Sequence, residues 1–503
     1  MRFANVLQAF RATLKHGAVL FAAVIAAPVH AAPWADVGDR SLRSDIETLA
    51  AHGLISGPIT TWPLPAGFLA PLRTLGSFAG QPEFVRLAAA RVLRQLDGRE
   101  QFSGWSLSSE FRLATEPNLI RDFGDNARDE VDLRAGLDYY GKRFAANLRV
   151  GALSAIDGEG YRPTLDGSYA TALLGDWQLY GGWVEKWYGA GQVSSLILSN
   201  NARPFPKIGI TSNSPRAFET RWLSWLGTWQ LDFFVGLLEE RDRLIRDVWV
   251  GSLRFEFMPV SGLTVGITRS VQFCGDSLGC NPLEAAFAIN NTPGDRNNSN
   301  DQATIEFKYA HAFNAINVSP YVQFLNDDTG PFINSYTSYL AGLRWAGPWG
   351  NSGTTWTFTT EYSDTRATDD WFEFDDRLAG FAYNNTEYLD GSRYRGRTLG
   401  FSLDSDSVLI SFAGAITDTA GRRYRLEYHN AQISSGELTN APLNEFYVNT
   451  VSSQPVTVNQ IETGISAPWR NVLFDLSVRW QDATPFPDRG SEFNIEAGVQ
   501  LRF

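Results

Sequence analysis

The chain closes on FNIEAGVQLRF, residues 493–503, and no other stretch restricts its fold so tightly. Phe493, Ile495, Ala497, Val499, Leu501 and Phe503 fall on one face of an extended strand. Asn494, Glu496, Gly498, Gln500 and Arg502 fall on the other. Strict two-residue alternation specifies a strand with one apolar and one polar surface. The last residues of a soluble domain usually fray. An amphipathic strand that finishes on an aromatic terminal residue suits the closing strand of an outer-membrane β-barrel, where lipid-facing and lumen-facing side chains alternate. The final strand of a soluble β-sandwich alternates in the same way, so this feature alone leaves both folds open. In the barrel reading Phe493, Ile495, Val499, Leu501 and Phe503 face lipid, and the strand ending at Phe503 is the element that barrel-assembly machinery reads.

The other end of the chain favours the barrel. Residues 1–31 have the form of a secretory signal peptide: Arg2, Arg11 and Lys15 with no acidic residue, an apolar run over 17–27, and the small residues of Val29-His30-Ala31 at a cleavage site. That run is too short to span a bilayer as a helix, and no other stretch reaches the roughly 18 apolar residues such a span needs. The mean hydropathy of −0.20 looks soluble, but a barrel hides its apolar half by alternation. Net charge is −12 over the whole chain, and removing the three positive charges of residues 1–31 leaves −15. Phosphate binding needs a basic surface, so nucleic acid is excluded as a partner. The two cysteines, Cys274 and Cys280, flank GDSLG. In an oxidising compartment they are expected to close a small disulfide ring worth on the order of 2 kcal/mol. Two Cys with no His nearby make half a zinc site at best, so no metal and no cofactor are expected.

The chain divides near residue 100. Over 32–100 the sequence predicts a small helical module. Ser41 or Ser44 is placed to cap a first helix that Gly53 stops, and Pro82-Glu83 to open a second that Gly98 stops. Between them GPITTWPLP, with Pro58, Pro63 and Pro65, forbids a regular helix or a central strand. Such a module belongs on the periplasmic side with both chain ends, where it either plugs the barrel or docks a partner. Over 101–503 alternating segments recur, as at 131–139 and 144–152, joined by a tight turn at Gly141-Lys142. Short turns alternate with long polar stretches at 116–128, 154–167, 187–214, 274–300, 326–336 and 364–396, as periplasmic turns alternate with extracellular loops. The count is 18 to 20 antiparallel strands, with 433–456 read as one long loop or as a loop plus an extra strand at 446–451.

Residues 187–206 read WYGAGQVSSLILSNNARPFP. Together with TTWPLP at 60–65, GSLRFEFMPVSGLTVGITRS at 251–270 and YLAGLRW at 339–345, this block resembles the Wzi family of capsule assembly proteins. The resemblance implies an eighteen-stranded outer-membrane barrel with an amino-terminal periplasmic helical bundle. It also implies a surface lectin that holds capsular polysaccharide and is distinct from the export channel; the chain is expected to act as a monomer, and a related exopolysaccharide is the other polymer it could hold.

Two segments carry candidate site chemistry. In NNARPFP, Pro204 and Pro206 cannot donate to a sheet ladder, while Asn200, Asn201 and Arg203 offer amides and a planar donor fork. These groups suit either sugar hydroxyls and carboxylates or the pinning of a loop folded into the barrel. The 364–396 stretch is the stronger candidate for polymer contact. There Trp371, Phe372, Phe374, Phe381, Tyr383, Tyr388 and Tyr394 interleave with Arg366, Arg377, Arg393 and Arg395. Aromatic faces stack on pyranose rings and arginine forks grip carboxylates. The same aromatics can equally close the loop by packing inward. An acidic polymer would need a local basic patch, or divalent ions bridging it to Asp369, Asp370, Asp375 and Asp376. Replacing Arg393 and Arg395 with Ala is expected to weaken polymer binding and spare assembly. Of the three histidines beyond residue 31, His52, His311 and His429, none has a motif partner, and neither GxSxG nor HExxH occurs, so an enzyme is not expected. A polysaccharide-anchoring lectin and a porin-like diffusion channel are the two functional classes, and occupancy of the lumen discriminates them.

Overall fold

The structure, a computed structural model, describes residues 33–74, 78, 80–101, 104–154, 161–276, 278, 280, 299–327, 336–350, 353–368, 377–435, 449–485 and 490–502. The alternating segments become the strands of one closed antiparallel barrel. The first six are β1 (Gly104–Ala114), β2 (Val131–Tyr140), β3 (Phe144–Ser154), β4 (Tyr161–Thr164 and Tyr169–Leu174), β5 (Trp177–Gly182) and β6 (Lys207–Ser212 and Arg216–Ala217). Next come β7 (Thr228–Leu238), β8 (Val248–Val260), β9 (Leu263–Phe273), β10 (Ser299–Tyr309 and His311–Phe313), β11 (Ile316–Asp327) and β12 (Tyr336–Pro348). The last are β13 (Thr355–Thr368), β14 (Val408–Thr417), β15 (Arg423–Ile433), β16 (Val456–Trp469), β17 (Val472–Gln481) and β18 (Glu492–Arg502). The terminal strand β18 pairs with β1 from Glu496↔Ala114 to Arg502↔Ser108 and closes the ring at eighteen strands.

The ambiguous stretch after β15 resolves as a connection. Ile433 and Val456 are direct partners in the ladder, so the residues between them join two neighbouring strands at one end. Within that connection 449–451 are loop, and 446–448 lie outside the described residues.

Alternation puts apolar side chains outside and polar ones inside. Trp105, Leu148, Leu253, Leu426, Ile461 and Phe493 are exposed on the outer wall. In β18 Phe493 and Ile495 stand outward while Asn494 and Glu496 are buried, and Phe503 lies outside the described residues. An apolar outer wall of this kind fits a hydrocarbon surround. The inner wall is buried too: Arg134, Asp232, Arg254, Glu306, Glu361 and Glu462 are at most 7% exposed. A water-filled lumen would leave such side chains wet, so something fills it.

Part of the filling is the amino-terminal segment. Helix α1 (Arg40–Ala51) starts at Asp39, whose carboxylate accepts the Leu42 amide at 2.8 Å, and ends before Gly53 at φ +71°. The cap is therefore neither Ser41 nor Ser44. Asp39 supplies the N-terminal acceptor two residues earlier, and Ser44 Oγ instead accepts from Arg344 at 2.9 Å. Helix α2 (Glu83–Gln101) runs three residues past Gly98. An interior glycine costs about 1 kcal/mol, and the burial of Val85, Ala88, Ala89, Val92 and Leu96 along the same helix outweighs it. The two helices pack through Leu42, Ile46 and Leu49 of α1, and Arg91 of α2 forks onto Asp45 at 2.6 and 2.7 Å.

The segment enters the barrel at the end carrying the short turns. Glu47 meets Lys308 at 2.8 Å and Arg344 at 3.1 Å near the turn ends of β10 and β12. Burial pushes the Glu47 carboxyl up, but Lys308, Arg344 and Arg43 together hold it well below the usual carboxylate range. Deeper in, Arg254 of β8 is fully buried and donates to Thr61 Oγ1 at 2.8 Å and Thr60 Oγ1 at 3.0 Å, while pairing with Glu256 and Glu306.

Candidate functional site

The rest of the lumen is filled by connections folded in from the long-loop end. The central one is the 183–206 loop between β5 and β6. Its Trp187 and Tyr188 form a two-residue antiparallel ladder with Trp62 and Thr61. The two sequence blocks that carry the family resemblance, TTWPLP and WYGAGQVSSLILSNNARPFP, thus meet inside the barrel. The wall grips the loop through buried polar groups. Glu361 accepts the Gln192 amide at 2.7 Å, Gln323 accepts the Leu196 amide at 2.9 Å, and Lys186 pairs with Asp232 at 2.5 Å. Gly400 lies so close to this loop that a Cβ there would stand 2.2 Å from the Leu196 carbonyl oxygen.

Asn200, Asn201 and Arg203 each bond within the chain. The Asn200 amide donates to the carbonyls of Phe123 and Gly124 at 3.2 and 2.8 Å. The Asn201 amide donates to Thr398 O at 3.0 Å and Thr398 Oγ1 at 2.9 Å. Arg203 forks onto Asp166 at 2.8 and 2.9 Å. From the opposite side Arg128 caps the carbonyls of Asn200, Asn201 and Ala202 and reaches Glu185. Three connections are thereby stitched into one body across the lumen.

The loop between β13 and β14 is described over 377–407, and Trp371, Phe372, Phe374, Asp369, Asp370, Asp375 and Asp376 lie outside the described residues. Its remaining aromatics point inward. The Tyr383 hydroxyl donates to Leu196 O at 2.6 Å, and the Tyr388 hydroxyl donates to Cys274 O at 3.0 Å. Tyr394 is 1% exposed and meets Phe205 edge to face at 5.9 Å. Phe381 packs on Tyr336 at 3.8 Å. Cys274, whose carbonyl accepts from Tyr388, is disulfide-bonded to Cys280.

The four arginines of this stretch do different things. Arg366 and Arg377 both reach the buried Asp364 of β13, at 2.9 and 3.2 Å. Arg393 is 4% exposed and forks onto Asp404 at 2.8 and 2.6 Å. Asp404 also accepts from the Thr450 amide and hydroxyl, so it holds two loops at once. Burial raises the Asp404 carboxyl, but Arg393 and Thr450 bring it below its ordinary value. Neighbouring Asp406 has no cation so close, and burial pushes it up to about 6. Arg395 is exposed and its guanidinium lies 5.2 Å over the Tyr394 ring. The paired replacement of Arg393 and Arg395 therefore mixes two effects, because loss of Arg393 strands a buried carboxylate. Arg395 alone tests surface contact.

Around Arg395 the long loops form one continuous outer surface. The Arg395 amide donates to Glu240 at 2.9 Å, and Asp390 accepts the amides of Leu244 and Ile245 at 3.1 Å each. Arg246 pairs with Asp276 at 2.6 Å across a half-exposed contact. Leu244 is 58% exposed between them. This rim combines an exposed guanidinium, an apolar contact and polar groups, the mixture that pyranose rings with acidic substituents require. The sequence alternation marks Asp232 and Glu361 as lumen-facing, whereas Asp364, three residues after Glu361, is off that period. It carries no signal for their partners, nor for Asp404, which sits in a turn.

The structure also brings together a Ser-His-acid set that the sequence did not suggest. His429 Nδ1 lies 2.8 Å from Ser411 Oγ, and His429 Nε2 lies 3.4 Å from Glu427. Ser411 and His429 are at most 2% exposed. A hydrolase nucleophile must meet its substrate and an oxyanion hole, and this set is sealed in the wall. Among the described residues no three His, Cys, Asp or Glu side chains are grouped to hold a metal ion.

A Klebsiella pneumoniae protein described as an uncharacterized 55.8 kDa protein in the cps region is 25% identical over 346 residues, which covers 66% of this chain and 65% of that protein. The chain thus matches somewhat under two thirds of that relative's length. Among solved structures, Wzi of Escherichia coli, an outer-membrane protein involved in group 1 capsule assembly and a carbohydrate-binding β-barrel, superposes with a TM-score of 0.76 at 21% identity. That superposition covers 93% of this chain and 99% of Wzi, so the two share a fold from the amino-terminal segment to the last strand. Residues 108–464, well over half the chain, match the family described as capsule assembly protein Wzi, and the chain belongs to that family.

Proposed function

We propose that the chain is a monomeric outer-membrane lectin that holds capsular polysaccharide, or a related exopolysaccharide, at the cell surface. The long-loop end faces the exterior and the α1–α2 segment the periplasm. The filled lumen carries this reading. Arg254, Glu256, Thr268 and Glu306 face the barrel axis at 0% exposure. A diffusion channel needs those side chains wet. A barrel blocked along its axis has only its loop surface to offer a large polymer. Family membership and the capsule-assembly relative agree with it. Binding without catalysis is the chemistry we assign, since the Ser411–His429–Glu427 set is out of a polymer's reach.

The contact surface in this reading is the rim of Arg395, Leu244 and Arg246. An exposed guanidinium over an aromatic ring can bind a uronate or other acidic substituent while the apolar neighbours take a pyranose face. Binding of purified acidic capsular polymer to the detergent-solubilised protein tests the assignment. Replacing Arg395 with Ala is expected to weaken binding about three- to tenfold, the range for one charge-assisted contact at a solvated site. It should leave protease resistance of the loops unchanged. Wild-type affinity in R395A would move the polymer to another part of the surface.

A further inference from the structure

A polar cavity of about 50 Å³ lies between α1 and the barrel wall, beneath the 183–206 loop. Its lining supplies four guanidiniums, Arg40 and Arg43 from α1, Arg344 from β12 and Arg423 from β15, against two carboxylates, Asp122 and Glu427. Two of the four are satisfied inside the chain. Arg40 forks onto Asp122 at 2.5 Å on both arms, and Arg344 meets Glu47 at 3.1 Å. Glu427 is engaged by His429 at 3.4 Å and Arg425 at 3.8 Å.

The other two each keep a donor without an acceptor. Arg43 is 2% exposed, and its Nη2 donates to the carbonyls of Ala190 and Gly191 at 3.1 and 2.8 Å. Its Nε is ion-paired with Glu47 at 3.5 Å and its guanidinium lies 4.4 Å over the Phe123 ring, but among the described residues its Nη1 finds no acceptor. Arg423 reaches only the hydroxyls of Thr417 and Thr357, at 3.5 and 3.4 Å, and its Nε finds no acceptor. Among the described residues no carboxylate lies within ion-pair distance of Arg423. A buried donor without an acceptor is costly, and here Arg43 Nη1 and Arg423 Nε lie at the same polar cavity as Arg40 and Arg344. Planar donor forks converging on one space match the geometry of an oxyanion.

We propose that this cavity is a binding site for a small oxyanion of the phosphate or sulfate class, gripped by Arg423 and Arg43 in the field of Arg40 and Arg344. The bound anion ties α1 to β15 and supplies the acceptor that those open donors lack. The site is separate from the loop rim and does not depend on the lectin assignment.

Isothermal titration of the full-length chain in detergent with inorganic phosphate, at constant ionic strength, tests it. Wild type is expected to show saturable binding at a single site. R423Q is expected to bind at least about tenfold more weakly, the equivalent of one charge-assisted fork. R221Q, an exposed arginine at the short-turn end, should match wild type. Arg423→Lys keeps the charge without the fork. It guards against a misfolded R423Q, retaining the barrel's heat-dependent gel shift and binding severalfold more weakly. Absence of saturable heat in wild type, or wild-type affinity in both Arg423 variants, would overturn the proposal and leave the cavity as a water-filled space.

Discussion

Replacing Arg254 with Ala will destabilise the protein by about 3–5 kcal/mol, the cost of stranding buried carboxylates. Arg254 is fully buried and serves five partners, Thr268 of β9 among them at 2.7 Å. It pairs with Glu256 and Glu306 in the wall and donates to Thr60 and Thr61 of the inserted segment. Removing it leaves two carboxylates at 0% exposure with no cation and unhooks the segment that carries Trp62. Glu306→Gln is expected to cost much less, because Arg254 then keeps Glu256. The readout is the urea midpoint in detergent, together with protease cleavage between residues 54 and 82. A shift under about 0.5 kcal/mol, within the range of an ordinary surface change, would show that the inserted segment is held by other contacts.

The second large effect is expected at Arg393. Its loss leaves Asp404 buried at 0% exposure and frees the carboxylate that also holds Thr450. About 3 kcal/mol of local stability should go with it. The 377–407 and 449–455 segments should then become cleavable by external protease on intact cells, and surface polymer should fall as a consequence. Arg393→Lys keeps a charge but not the bidentate geometry, and should restore part of the resistance. Arg395→Ala should reduce polymer binding with no new cleavage. Equal protease resistance in wild type and R393A would show that Asp404 tolerates solvent entry, and the loop would then owe its position to aromatic packing alone.

The wall was legible because lipid and lumen impose opposite demands on neighbouring residues. That is why 131–139 and 144–152 read as strands, with the Gly141 turn between them, and why β18 was evident from the last eleven residues. The extent of the helices was harder to read. Ser41 and Ser44 are as good caps as Asp39 by residue type, and Gly98 is as good a stop as Gly53. What decided between them was packing: Leu42, Ile46 and Leu49 against α2, and the buried face of α2 continuing to Leu96. The long loops carried least. Tyr383, Tyr388 and Tyr394 have the composition of a sugar-stacking surface and of a buried plug alike, and only the positions of Leu196, Cys274 and Phe205 separate the two. Arg393 and Arg395 differ by two positions and have opposite fates, because the carboxylate that claims Arg393 lies in a turn eleven residues on. Arg254 and Thr60 are 194 residues apart and bond across the lumen. No local pattern predicts such a pairing, although the period-two signal placed Arg254 on the inner face.

The central claim is that the barrel retains polysaccharide at its outer loops and does not conduct solutes through its axis. Deleting the gene and separating cell-bound from shed polysaccharide tests it directly. The expected result is a fall in cell-bound polymer with a matching rise in the medium and unchanged total synthesis, reversed by the wild-type chain and only partly by R395A. Wild-type levels of cell-bound polymer in the deletion strain would contradict the account.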